Sequence, residues 1–205
     1  MLRNPRFIII SFIALVLLSC NASERRASPD ERAEDVVFSV DPSLVGDPYH
    51  SEEIGLRVRP PAEWTRLPAE QRDAVGQSLL DRQLESDFRL GLQDAFVDPE
   101  SLSFFTVSLV QDADGPLERA EAYVEALAAQ VDEEDDEVAS FAAFRVDGVE
   151  INQFRFLRAE RVNFTLVLVG SKDRVGQLDY SIPLQAYEAE GVKLESSIGS
   201  IQLAN

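Results

Sequence analysis

Residues 140–182 read SFAAFRVDGVEINQFRFLRAERVNFTLVLVGSKDRVGQLDYSI, and the fold is decided in this stretch. Asp147-Gly148 separates two β-prone runs, Ser140–Val146 and Val149–Arg158. A two-residue Asp-Gly connection suits a hairpin whose turn needs positive φ. Val162–Val169 and Val175–Ile182 continue the series across the turn residues Gly170-Ser171-Lys172-Asp173. Short turns of this kind join antiparallel neighbours. Leu178, Tyr180 and Ile182 alternate onto one face, whereas VNFTLVLV becomes apolar on both faces at its end. A strand of that kind belongs in the middle of a sheet covered on both sides.

Working upstream, Ser103–Gln111 (SFFTVSLVQ) reads as another strand, with Phe105, Val107 and Leu109 on one face and Phe104, Thr106 and Ser108 on the other. Asp112-Ala113-Asp114-Gly115-Pro116 stops it, and Pro116 suits the first position of a helix. Leu117, Ala120, Tyr123, Val124, Leu127, Ala128 and Val131 keep helical spacing up to the acidic block 132–137, read as a solvated loop. Leu67–Leu84 predicts a further helix, with Val75, Leu79, Leu80 and Leu84 on one side. Ile54, Leu56 and Val58 alternate with polar residues as a half-buried strand that Pro60-Pro61 ends, and Trp64 reads as a core plug. Residues 85–102 carry no clear period. A last amphipathic helix is expected over Leu184–Ile198, and Val36–Val40 reads as a short edge strand.

The order of elements, the opening GLRVRPPAEW and the closing LDYSIP with its Ser197-Ile198-Gly199-Ser200-Ile201 tail resemble PsbP-like and Mog1-like domains. The resemblance covers about residues 49–203. It implies an α+β fold, an antiparallel β-sheet flanked by helices on both faces (an α/β/α sandwich). It carries over no site residues, because a fold does not fix a chemistry.

The amino terminus gives the address. Arg3 and Arg6 precede an apolar run from Phe7 to Leu18, which closes on Leu17-Leu18-Ser19-Cys20. The run spans 12 residues, against roughly 20 for a helix crossing about 30 Å of hydrocarbon. It therefore suits a signal core better than a permanent anchor. LLSC resembles the lipobox of bacterial lipoproteins, whose cysteine is lipidated after cleavage in front of it. The resemblance implies a signal peptide over residues 1–19 and Cys20 as the lipid attachment site, carrying acyl chains such as palmitate. An uncleaved signal anchor or an ordinary secretory leader are the alternative readings. Asn21 is not the Asp that retains some lipoproteins at the inner membrane, which favours the outer membrane facing the periplasm. Two or more acyl chains hold a protein firmly, where one alone binds marginally. Residues 20–48 read as the lipidated terminus and a flexible tether, since NASERRASPDERAED cannot bury enough surface to offset ordering. Residues 49–205 read as a single domain.

Composition excludes several classes. The net charge is −18, and removing residues 1–19, which hold two arginines and no acid, takes it to −20. Like charge opposes docking on nucleic acid or flat on anionic lipid. With Cys20 the only cysteine, no intrachain disulfide can form. His50 is the single histidine; it could pair with Asp47 on a metal, but one His without further ligands reads as an ordinary loop residue. Asp112, Asp114 and the acidic block lack the register of a calcium loop. No Gly-x-Ser-x-Gly, phosphate loop or dinucleotide motif is present. No cofactor is therefore expected, and the chain reads as non-enzymatic: an envelope domain that binds or scaffolds another envelope protein. The alternative is a periplasmic carrier of a small hydrophobic ligand or lipid, held in a pocket between sheet and helix. Phe104 is the candidate groove residue, weighed against a place in the core under a covering helix. Cells fed radiolabelled fatty acid should label the wild-type chain and not Cys20→Ser; an unlabelled wild type removes the anchor.

Overall fold

The computed structural model describes residues 34–35, 38–82, 87–133 and 139–204, so the segment read as a signal peptide, Cys20 and most of the acidic block lie outside the described residues. In chain order the elements are β1 (Glu34–Asp35), β2 (Tyr49–Ser51), β3 (Leu56–Val58), β4 (Thr65–Arg66), α1 (Ala69–Arg82), β5 (Arg89–Val97), β6 (Phe104–Asp112) and β7 (Gly115–Pro116). They continue with α2 (Glu121–Glu133), β8 (Ala139–Val146), β9 (Val149–Arg158), β10 (Arg161–Val169), β11 (Val175–Pro183), a 3-10 turn at Leu184–Ala186, α3 (Tyr187–Gly199) and β12 (Gln202–Leu203). The large sheet runs β1-β8-β9-β10-β11-β6-β5-β4, with β7 paired to β6. All its described pairs are antiparallel except β1 with β8. A small antiparallel sheet, β12-β3-β2, stands apart. The molecule is thus the α+β fold expected, with three helices on a mainly antiparallel sheet.

Strand alternation sorts the sheet into two faces. On one, Phe105, Val107 and Leu109 of β6, Leu178, Tyr180 and Ile182 of β11, and Phe164, Leu166 and Leu168 of β10 pack under Leu194 and Ile198 of α3 and under Ile54, Leu56, Val58 and Trp64. Stacked rings run across the strands, Phe96 to Phe105 at 5.7 Å and Phe105 to Tyr180 at 4.4 Å between centroids. The Ser197 hydroxyl donates to the Arg59 carbonyl at 2.7 Å, so the Tyr180 hydroxyl, 2.9 Å away, donates to Ser197. Trp64 donates its indole N–H to Glu190 Oε2 at 3.0 Å, which satisfies the polar edge of a buried ring. On the other face, Tyr123 and Val124 of α2 cover Leu90, Val110, Phe154, Val167 and Val175. α1 packs against β5.

Several expectations shift at their edges. The unassigned stretch before Pro99 is strand β5, which carries a bulge between Leu92 and Asp94. Pro116 does not start a helix; Gly115 and Pro116 fold back as β7 onto Asp112 and Gln111, and α2 begins at Glu121. Of Val36–Val40, residues 38–40 are not strand, 36–37 lie outside the described residues, and the edge pairing belongs to Glu34–Asp35. The stretch read as tether touches the domain from Phe38, whose ring lies 5.8 Å from that of Phe144, and Val45 is only 5% exposed. The Asp147-Gly148 turn has φ of 48° and 79°, as the hairpin required. Among the described residues no helix is long and apolar enough to cross a membrane.

The small sheet is seated through a close backbone approach at Gly170, where any side chain would collide with the Ile54 carbonyl and Cγ2. Gly170→Ala should therefore destabilise the fold by about 1–3 kcal/mol or more, as overpacking does. Urea unfolding should show a lower midpoint with an unchanged slope; a wild-type midpoint would show that this contact relaxes freely.

Candidate functional site

The face carrying α2 is not covered along its whole length. Toward the Phe104 end of β6, a cleft of about 760 Å³ opens between α1 and α2 over β5, β6, β11, β10 and β9. Val75 and Leu79 of α1 face it from one side, and Leu90, Ala95 and Val97 of β5 with Phe104 of β6 extend an apolar wall. Gln130 of α2 and Phe156 of β9 line it as well.

Its floor is polar, and the register explains why. Pairing sets Thr106 opposite Asp179 and Asp179 opposite Thr165, so three strands place one carboxylate between two hydroxyls in a single cross-strand row. One step toward the mouth, Phe104 pairs with Ser181 and Ser181 with Asn163. Thr165 Oγ1 donates to Asp179 Oδ1 at 2.7 Å, and Gln177 Nε2 donates to Asp179 Oδ2 at 2.7 Å. Thr106 Oγ1 makes a longer 3.5 Å contact with the same Oδ2. The Tyr123 hydroxyl donates to Gln177 Oε1, which tethers α2 to the floor and turns the amide so that its NH₂ meets Asp179.

Desolvation holds the Asp179 carboxyl above the usual carboxylate range, against the opposing effect of its Gln177, Thr165 and Thr106 donors. Burial likewise pushes the Tyr123 phenol upward, with the nearby Asp179 charge adding to it. At the mouth, Arg161 donates Nε to Ser181 Oγ at 2.7 Å and Nη2 to the Leu102 and Ser181 carbonyls at 2.9 Å each. Its guanidinium lies 5.1 Å from the Phe104 ring centroid, within cation–π range.

The residues singled out in sequence fall in different places. Phe104 is 40% exposed and lines the cleft, so the groove reading holds over the core one. His50 and Asp47 are exposed, and neither is among the residues that line the cleft. Asp112 Oδ1 accepts from the Asp114 and Gly115 N–H groups, a local turn rather than an ion cage. Among the described residues no group of three His, Cys, Asp or Glu stands ready for a metal ion. Sequence reasoning missed Thr106, Asp179, Thr165 and Gln177; their only signal was a polar parity shared by three strands, which becomes one site once register is known.

No protein-family model and no curated protein matches the chain. Among solved structures it is similar to the solution structure of cyanobacterial PsbP (CyanoP) from Synechocystis, at 15% identity and a TM-score of 0.48, over 78% of this chain and 93% of that one. It is also similar to a crystal structure from Bacteroides thetaiotaomicron, at 14% identity and a TM-score of 0.39, over 79% of this chain and half of that one.

The raised Asp179 value gives a signed expectation. The unfolded chain releases this proton near the ordinary value of about 3.9. Between that value and the higher folded one, the native state binds the extra proton, so stability falls as pH rises through this window and stays reduced above it. Asp179→Asn removes the charge, while its amide oxygen can still accept from Gln177 and its NH₂ can meet a reversed Thr165 hydroxyl. The variant should melt higher than wild type at pH 8, by about 2–4 °C per kcal/mol of relieved desolvation, and equal to it near pH 3. A gap that does not change with pH would refute the assignment.

Proposed function

We propose that this chain is a non-catalytic binding domain of the bacterial envelope, anchored through acyl chains on Cys20 at the outer membrane facing the periplasm, which carries a small amphipathic ligand in the cleft between sheet and helices. The observation that supports the reading is the cleft itself. Its roughly 760 Å³ falls within the about 300–1,000 Å³ of small-molecule sites, and apolar walls around a few converging polar groups are their usual make-up. A scaffold needs a surface and gains nothing from such a recess, so the carrier reading takes precedence over scaffolding of an envelope protein. The chemistry on the floor fits binding: the Thr106 and Thr165 hydroxyls sit against a carboxylate with no histidine among the lining residues to activate them as nucleophiles.

The neutral probe N-phenyl-1-naphthylamine should brighten on binding the purified chain. Ser78 lies on an exposed position of α1 and faces the cleft, so Ser78→Trp should fill the recess without disturbing the core. We expect it to weaken probe binding about tenfold or more at an unchanged melting temperature. Equal binding by the two forms would place the probe elsewhere and remove the carrier reading.

A further inference from the structure

Four acids are drawn into this sheet and its helices, Asp94, Asp98 and Glu190 buried and Asp179 half-buried; two of them own a cation, and Asp98 is held in its own turn by the Glu100 N–H and the Ser101 hydroxyl. Asp94 lies between Arg66 Nη2 at 2.5 Å and Arg72 Nη1 at 3.2 Å, and Glu190 accepts from Lys193 Nζ at 3.2 Å. Asp179 has only neutral donors: Thr165, Gln177 and the longer Thr106. Among the described residues no Lys, Arg or His stands within ion-pair distance of it. A carboxylate removed from water without a counter-charge is costly, and the cost ends when a cation arrives. Unlike Asp94, this one borders an open cleft, so the cation can come from outside.

Resting on the carrier reading, we propose that the cleft selects amphiphiles carrying a primary ammonium head, which sits on the row Thr106–Asp179–Thr165 while the apolar tail runs along Leu79, Ala95 and Val97. The geometry suits three N–H donors. Each threonine spends its proton on Asp179 and keeps its oxygen lone pairs as acceptors, and the carboxylate supplies a third acceptor between them. Charge-assisted bonds of this kind are the strong ones. An anionic head meets the carboxylate with like charge. An uncharged head leaves the carboxylate without a counter-ion. Arg158 and Arg161 are the other charges lining the cleft, and Arg161 does not compete for that position. It lies four residues along β10 from Thr165, on the order of 13 Å at the usual rise, with Nε and Nη2 held by Ser181 and the Leu102 carbonyl. A guanidinium at the rim favours an ammonium that is buried over one left at the mouth.

The test is displacement of N-phenyl-1-naphthylamine by three chains of one length, dodecylamine, dodecanol and dodecanoate, at pH 7.5 and below their aggregation limits. Dodecylamine should displace the probe at about tenfold or lower concentration than the other two. Asp179→Asn should erase that preference while leaving dodecanol unchanged, and Thr165→Val, which removes one acceptor but keeps the charge, should reduce it partway. Asp114→Asn, which removes a surface charge far from the cleft, should leave it intact. Equal displacement by amine and alcohol, a preference for dodecanoate, or an amine preference that survives Asp179→Asn overturns the selectivity while the carrier reading stands. Probe binding insensitive to Ser78→Trp instead removes the carrier reading, and this inference with it.

Discussion

A sheet has two faces and both must be dealt with, and this chain treats them unequally. The α3 side is closed by the standard means: alternating large side chains, one helix, and a small second sheet laid over the exposed end of the first. The other side receives α2 over the rows of Leu90, Val110 and Val175, and α1 beside β5. What neither helix covers is floored with hydroxyls, amides and one carboxylate, and rimmed by Phe104, Phe156, Arg158 and Arg161. The cleft follows from that shortfall of helix over a wide sheet. Its floor cannot collapse into it, because each floor strand is hydrogen-bonded on both sides and packed from beneath by rings such as Phe105 and Tyr180. Rigid strands hold polar groups in place more strictly than loops do.

The strands of the second half were legible because their signals are local. Asp147-Gly148 demands its turn, and the alternation of Leu178, Tyr180 and Ile182 shows one face at a time. β5 was illegible for a definite reason. Its cleft-side residues are Leu90 and Leu92 before the bulge and Ala95 and Val97 after it, so the parity changes at Gln93 and no single period fits. A bulge inserts one residue into one strand and defeats any reading by alternation. Pro116 misled differently: its fixed φ suits a helix start and an edge strand equally, and only the pairing with Gln111 decides. In sequence the domain reads as starting at Tyr49, yet Phe38 and Val45 reach back to pack, a contact that depends on tertiary neighbours alone.

The site was less legible than the fold because its meaning lies in pairings across the sequence. Thr106, Thr165 and Asp179 are ordinary strand residues until three registers align them. Among 37 acids, nothing in the sequence sets Asp179 apart from Asp94. The difference is which face each points to and whether an arginine follows it inward. The bulge in β5 sends Asp94 to the α3 side, where Arg66 and Arg72 meet it, while the unbroken alternation of β11 sends Asp179 to the cleft.

One bond makes floor and wall interdependent. The Tyr123 hydroxyl gives its proton to Gln177 Oε1, and with the amide held in this sense its NH₂ faces Asp179. Were the amide reversed, its oxygen would confront the carboxylate, two acceptors with no proton between them. Tyr123, together with Val124, also packs α2 on the sheet, its ring edge-on to Phe88 at 5.2 Å. The helix that walls the cleft therefore sets the hydrogen-bonding sense of its floor. A shift of α2 large enough to break the tyrosine's bond would free Gln177 to turn and leave Asp179 with fewer donors. The Asp179 carboxyl, the ordered amide and the docked helix stand or fall together, and a cationic ligand that binds Asp179 would act on the position of α2 as well as on its own affinity.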